Sequence, residues 1–424
     1  MPTVSEGPAL SAWLRRIEAL HPTEIELGLS RVEQVARAAG LERPHCPLIT
    51  VAGTNGKGSA VAFLTAIFSA AGYKVGAYTS PHIRVFNERI RIDGQCVEDA
   101  SIVAALDHLE TLRGDISLTY FEYSTLAAMQ VFQRAATDVV ILEVGLGGRL
   151  DAVNIWDADV AVVTTIALDH ESWLGNSREQ IAVEKVGISR KDRPLVIGDR
   201  SPPSSLFAEA ARIGAQIYCI QKDFDYSQQG GLWKVQAAHK VFAELPYPAL
   251  DGQWQFDNAA LAIVAASLLT TRLPLQDRHY RQAMRSVAIQ ARYQRGHFRG
   301  HPVILDVGHN PAAVNVLTGQ LQRDFPAGVV AVFAVMRDKA VDEMITCIAP
   351  LVRAWYLGEL SLERALGIAE LERKIQQADA GARVCLRDSV LSALEAATEE
   401  NASDLPIVVF GSFYTIAEVM EFID

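Results

Sequence analysis

The sequence predicts an α/β protein: an N-terminal doubly wound phosphate-loop domain followed by a smaller Rossmann-like domain. Three observations predict it. Apolar runs that read as buried parallel strands recur at residues 48–51, 139–144, 160–166 and 195–198, with helical patterns between them. The first of these runs straight into a glycine-rich turn, GTNGKGS (53–59), and then a helix. After a polar, Arg-rich stretch the strand–helix alternation starts again, with strands expected at 303–307, 329–335, 354–357, 383–386 and 407–410. A chain of 424 residues also exceeds the roughly 250–300 residues that one core supports. The expected division is a first domain over 1–290, a linker over 291–300 and a second domain over 301–424.

Taken in order, residues 11–20 read as a short amphipathic helix through Trp13, Leu14, Ile17 and Leu20, and 29–39 as another ended by Gly40. IELGLSR (25–31) lies between them. Ala60, Leu64, Ile67, Phe68 and Ala71 recur at helical spacing behind the glycine-rich turn. Residues 74–78 read as a second strand ending in TSPH (79–82), and 89–92 as a strand entering an Asp93-Gly94 turn. Helices follow at 98–112 and 125–134, the latter entered through LTYFE (118–122). Residues 224–252 break the rhythm with Gly230, Gly231, Pro246 and Pro248, and read as short strands and loops. An Ala/Leu-rich helix is expected over 256–270.

Composition narrows the function. Lys+Arg number 39 against 50 Asp+Glu, a net charge of −11, which argues against a broad nucleic-acid surface or an anionic membrane as partner. The five cysteines, Cys46, Cys96, Cys219, Cys347 and Cys385, are scattered and form no C-x-x-C, so neither a disulfide framework nor a zinc site is indicated. Residues 1–20 lack a signal h-region, and no charge-free apolar run reaches the roughly 18 residues of a membrane span. A reduced cytoplasm is the expected setting.

The glycine-rich turn carries the clearest chemistry. Strand, Gly-rich turn and helix N-terminus turn backbone N–H groups and a partial positive charge toward a phosphate, and Lys57 adds a full one. Ser59 is placed to ligate Mg²⁺ or cap the helix. The match to G-x-x-x-x-G-K-[ST] is not literal: Val51 stands five before Gly56, and Gly58 separates Lys57 from Ser59. Three glycines and a lysine in the right context still favour phosphate over an ordinary βα turn.

Other residues allow two readings each. Glu143 interrupts a buried strand, which suits Mg²⁺ better than an ion pair with Arg149. His170 ends another strand in LDH (168–170) and is balanced between a core histidine and a metal or phosphate ligand. Ser80 reads as part of a turn, and Lys185, in VEKVG (183–187), as a surface helix charge. In DVGHNP (306–311), Asp306 and His309 could reach a nucleotide, while Asn310 could cap the helix opened by Pro311. Arg292 suits a phosphate clamp or a solvated linker charge. No Ser/His/Asp order and no reactive Cys context is present.

Together GTNGKGS, TSPH, LTYFE, EVGLGGRLDAVN (143–154), LDH, EKVGI (184–188) and DVGHNP resemble the folylpolyglutamate synthase family of the Mur-ligase superfamily, and within it the bifunctional branch that also acts on dihydropteroate. The resemblance covers nearly the whole chain. It implies a Mur-ligase-like fold and an ATP-dependent amide ligase that adds L-glutamate to dihydropteroate and to reduced folates through an acyl phosphate. It also implies that Thr54, Asn55, Gly56, Lys57, Gly58 and Ser59 cradle ATP with Asn258, Arg292, Asp306 and His309. By the same resemblance Ser80 and Glu143 bind one Mg²⁺, His170 binds a second, and Thr119, Tyr120, Phe121, Glu122 and Leu150 hold the pterin substrate. Lys57, His170 and Lys185 take the catalytic roles, Lys185 as a carbamylated lysine, which replaces its surface reading. Val183, Val186 and Gly308 depart from the family pattern. A monomer is expected. The competing readings are a folylpolyglutamate synthase without the dihydropteroate activity, a Mur-type peptidoglycan ligase (commonly GTNGKT, without LTYFE) and an ATP-hydrolysing switch protein.

Overall fold

The computed structural model describes residues 6–21, 23, 25–238, 240–401 and 405–424. They form two compact units. The first runs to Ala167 and resumes over Glu171–Ala249 and Gln255–Ala288. The second comprises Leu168–His170, Leu250–Trp254 and Ile289–Asp424.

The first unit is built on an eight-stranded sheet. Its strands are β1 (Leu48–Ala52), β2 (Val75–Tyr78), β3 (Ile90–Ile92), β4 (Gln95–Cys96), β5 (Val139–Glu143), β6 (Val160–Val163), β7 (Pro194–Ile197) and β8 (Gln216–Cys219), in the order β4-β3-β2-β5-β1-β6-β7-β8. All pairs are parallel except those made by β3 and β4 at one edge. Every residue of β1, β5 and β6 is buried, as strands covered on both faces must be. Burial of each large apolar side chain contributes about 1.5–3 kcal/mol. The helix Lys57–Ala70 supplies part of the cover, lying on β1, β2 and β5 with Phe63, Leu64, Ile67 and Phe68 inside.

The strand order places the site. From β1 the chain moves to one side for β2, then returns to fill β5 and crosses to β6 on the other side. β1 is therefore the switch point, where open α/β sheets leave a crevice at their carboxyl edge. Val51 pairs with Glu143 and Ala52 with Val163, so the loops leaving β5, β1 and β6 start side by side.

Three segments differ from the sequence expectation. Residues 224–252 hold an antiparallel meander, β9 (Phe224–Gln229), β10 (Leu232–Ala237) and β11 (Lys240–Pro246); the alternating burial of β10 is a period-two signal hidden among the glycines. The helix expected at 125–134 begins at Tyr120, because Thr119 and Glu122 cap it. Residues 291–300, expected as a linker, contain the strand β12 (Gln294–Phe298).

In the second unit β12 and β13 (His301–Asp306), β14 (Val329–Phe333), β15 (Val352–Gly358), β16 (Val384–Arg387) and β17 (Ile407–Phe410) form a sheet of order β12-β13-β17-β14-β15-β16. Only β12 is antiparallel. Phe333 stacks on Phe410, ring centroids 4.5 Å apart, at its centre. Among the described residues no helix is long and apolar enough to cross a membrane.

Candidate functional site

The glycine-rich loop is fastened to the end of β6. Thr54 N donates to Thr165 O (2.7 Å), and Asn55 N to Thr165 Oγ1 (3.2 Å). Thr54 Oγ1 donates to Ala167 O (3.1 Å), and Thr164 Oγ1 to Asn55 O (2.6 Å). Two glycines are required by this fit. Gly53 has φ +148°, and a Cβ there would lie 1.8 Å from Thr164 Oγ1. Gly56, at φ +89°, caps the helix, and a Cβ there would meet Asn258 Oδ1 at 2.6 Å. Asn258 is thus pressed against the loop, buried on the helix Trp254–Ser267. Lys57 opens the loop's helix, its Nζ donating to Gly53 O (3.0 Å) and Thr54 O (3.1 Å). Gly58 and Ser59 continue the same first turn, Ser59 buried.

Glu143 ends β5 and is 4% exposed. Ser80 N donates to its Oε2 at 3.3 Å, so the turn reading of Ser80 and a place beside Glu143 are both met. Arg149, the alternative partner of Glu143, is paired with Glu184 at 2.8 Å. Next to them lies a carboxylate that the sequence reading passed over. Asp151 accepts from Leu146 N (2.8 Å) and Val153 N (3.0 Å). Burial pushes its acid up to about 6, against the pull of these bonds and of the Lys57 charge. Lys185 is not a surface charge: it is 4% exposed, and the backbone of its helix touches the loop after Glu143. Arg149 N donates to Glu184 O (2.8 Å), and a Cβ on Gly148 would come within 3.1 Å of Lys185 Cα.

Ser80 and Glu143 offer hard oxygen donors beside a phosphate loop, a set that fits Mg²⁺. Among the described residues no three His, Cys, Asp or Glu side chains could hold a metal ion together.

The turn before the helix Tyr120–Arg134 is a capping box: Glu122 N donates to Thr119 Oγ1 (3.2 Å) and Thr119 N to Glu122 Oε2 (2.8 Å). Both oxygens of Glu122 are engaged, since Oε1 accepts from Arg31 (3.1 Å). Tyr120 and Phe121 remain half-buried. Phe121 packs on Tyr78, centroids 5.8 Å apart, and on Gly145, where a Cβ would be 2.6 Å from its ring. Leu150, half-buried, lies on the same 145–151 loop. Arg89 stacks over Tyr120 (5.3 Å) and donates to His82 Nδ1 (2.8 Å). Burial, then the Arg89 charge, pushes His82 down to about 4.

The second unit gathers the remaining residues. Asp306 ends β13, buried, accepting from Tyr293 N (2.9 Å) and Gly308 N (2.7 Å). Burial raises its acid despite the Arg292 charge. Arg292 is not a solvated linker charge: it stacks over Phe413 at 5.3 Å, between Ala291 and Tyr293 at φ +55° and +51°. Such backbone is strained in non-glycine residues and clusters at functional sites. Asn310 caps the helix Pro311–Asp324 through Ala313 N (2.9 Å), as the alternative reading had it. His309 Nδ1 donates to Val307 O (3.0 Å), leaving Nε2 3.4 Å from Asp169.

LDH departs from expectation. Leu168–His170 belong to the second unit, and His170 is exposed, with φ +52°. Asp169, passed over in the sequence, is the anchor. It also accepts from Lys339 Nζ (2.8 Å) and Asn310 Nδ2 (3.2 Å). Burial alone would raise its acid, but the His309 hydrogen bond and the His309 and Lys339 charges hold it well below the usual range. An acid a few residues past an apolar strand was the only signal for it, and Lys339, in RDK (337–339), carried none.

Comparison with known proteins adds an independent line. Residues 291–413 match the family model described as Mur ligase, glutamate ligase domain. The chain is 41% identical, over 100% of its length and 97% of the relative's, to the Dihydrofolate synthase/folylpolyglutamate synthase of Escherichia coli (strain K12). It superposes on E. coli FolC in complex with DHPP and ADP with a TM-score of 0.91, at 39% identity, covering 99% of this chain and 98% of that one. It also superposes on a bifunctional folylpolyglutamate synthase/dihydrofolate synthase with Mn, AMPPNP and L-glutamate bound, with a TM-score of 0.89 at 39% identity, covering 98% and 99%.

Proposed function

We infer the function of this chain from one premise: it belongs to the dihydrofolate synthase/folylpolyglutamate synthase family, with a Mur-ligase-like fold. It is an ATP-dependent ligase that joins L-glutamate to dihydropteroate, making dihydrofolate, and to reduced folates, making folylpolyglutamates. The observation that carries this reading is the phosphate loop fastened to the end of β6, with Lys57 opening its helix.

In our reading Thr54–Ser59 and Asn258 take the ATP phosphates in the first unit. Arg292, Asp306 and His309 are our further candidates for nucleotide binding. Ser80 and Glu143 would hold one Mg²⁺ and His170 a second. These ions would supply charge neutralisation at the phosphates. Thr119, Tyr120, Phe121 and Leu150 take the pterin. Glu122 shapes their turn, because both its oxygens are already bonded.

The reaction follows from this set. The substrate carboxylate attacks the γ-phosphorus of ATP, ADP leaves, and an acyl phosphate forms. The glutamate amine then attacks the acyl carbon, and the tetrahedral adduct expels phosphate as the amine loses its proton. These steps need positive charge and positioning more than a protein nucleophile. Lys57 serves the charge, and the half-buried aromatic turn serves the positioning. A buried Lys185 ammonium would oppose cations nearby, whereas its carbamate would add a carboxylate. We read the protein as a cytoplasmic monomer, a setting consistent with its five free thiols.

A matched pair of assays tests the function. With ATP and L-glutamate, dihydropteroate in one and tetrahydrofolate in the other should each release ADP and phosphate in step with amide formation. Release without an acceptor would refute the ligase reading. Turnover of tetrahydrofolate alone would reduce it to a folylpolyglutamate synthase.

A further inference from the structure

IELGLSR (25–31) has been given no role so far. We propose that its last residue, Arg31, is a positioning residue for the pterin-bearing substrate, acting through Glu122 on the Thr119–Glu122 turn. The inference rests on the reading that this turn and Leu150 hold that substrate.

Glu122 is where two structures share one carboxylate. Its Oε2 closes the capping box on Thr119 N (2.8 Å), and its Oε1 takes the Arg31 guanidinium (3.1 Å). The Glu122 side chain is 4% exposed and that of Arg31 20%. A carboxylate this buried is tolerated only when paired. The rest of Arg31 is held from its own segment: its terminal nitrogens reach the Glu26 carboxylate and Glu26 O, while Nε is buried without a partner. Glu26 in turn pairs with His21 (2.8 Å), whose other nitrogen meets Ser117 Oγ (3.0 Å). His21, Glu26 and Arg31 together therefore hold both ends of the 117–122 segment.

What the turn carries explains why this matters. If Arg31 is removed, Glu122 is stranded as a buried charge. It must then take up a proton or swing toward water, and either change loosens the bond to Thr119 N. Tyr120 and Phe121 are the next residues. Phe121 fits against Gly145 with no room for a Cβ, so a shift of the turn is passed on to the 145–151 loop that bears Leu150. None of these groups belongs to the phosphate loop, so the effect should fall on the pterin substrate and spare ATP.

The test measures KM for dihydropteroate, ATP and glutamate, with kcat and thermal midpoint, in Arg31→Ala, Arg31→Ala/Glu122→Gln and Phe121→Ala. Arg31→Ala should raise KM for dihydropteroate about tenfold, equivalent to about 1.4 kcal/mol, with KM for ATP little changed. Arg31→Ala/Glu122→Gln should recover most of that loss, because a neutral glutamine still accepts from Thr119 N and strands no charge. Stranding Glu122 lowers the thermal midpoint in either case, so the KM pattern decides: a merely structural arginine would move all three KM values together, and that result overturns the proposal. So does a double variant no better than Arg31→Ala, or an unchanged dihydropteroate KM in Arg31→Ala when Phe121→Ala raises it. If Phe121→Ala itself leaves that KM unchanged, the assignment of the turn to substrate falls, and the role of Arg31 falls with it.

Discussion

Asp169 Oδ1 lies 2.8 Å from Lys339 Nζ, with only 9% and 10% of the two side chains exposed. The pair is separated by 170 positions in sequence, and it fastens Leu168–His170 within the second unit. Removing one partner of a buried pair typically costs about 3–5 kcal/mol. Asp169 keeps His309 and Asn310 as donors, so we expect Lys339→Met to cost about 3 kcal/mol, the lower end. Chemical denaturation followed in the second unit would check this. A loss below the roughly 1 kcal/mol typical of surface pairs would show that the pair adds little.

Lys57→Ala should abolish glutamate addition to dihydropteroate and to tetrahydrofolate together. Its ammonium lies on the loop carbonyls of Gly53 and Thr54, and both reactions draw on one phosphate loop. Parallel assays of both substrates are the measurement. Retention of either activity near the parent rate would require a second nucleotide site.

Asp151 gives a pH signature. Its folded acid sits at about 6, raised by burial from 3.8. A raised folded value means the protonated form is favoured by folding. That contribution is fully present below about pH 4 and is lost as pH rises through about 6. Asp151→Asn does not titrate, so the stability of the parent relative to this variant should fall between pH 4 and pH 6, by on the order of 2–3 kcal/mol at 1.36 kcal/mol per pK unit. Urea midpoints for both proteins across that range would show it. Parallel curves would mean that Asp151 stays ionised throughout.

Lys185→Ala should lose most activity, and added short carboxylates should restore part of it. Lys185 is buried behind the loop that follows Glu143. A unit positive charge about 4 Å from a divalent ion is opposed by about 8 kcal/mol at an effective dielectric of 20. Lys185→Arg returns that charge and should not rescue. Kinetics with and without acetate or formate would decide, and a fully active Lys185→Arg would remove the case for a carbamate.

Part of this protein was legible from its sequence. Strands β1, β5 and β6 are apolar apart from Thr50 and Glu143, because parallel strands buried on both faces have no solvated side to carry polar residues. GTNGKGS announced its own loop, because glycines at Gly53 and Gly56 answer local backbone needs. Asn310 as a helix cap and Glu143 as a buried acid could be read the same way, from near neighbours in the chain.

What the tertiary structure alone decided was partnership. Lys185 reads locally as a helix surface charge, yet the packing of its helix on Gly148 buries it. Asp169 gives no hint of Lys339 170 positions away, nor Arg31 of Glu122, 91 positions away. Local sequence governs backbone preference and periodicity, which act within a few residues. Ion pairs and burial depend on which elements the sheet order brings together, and that order is set by the packing of the whole chain.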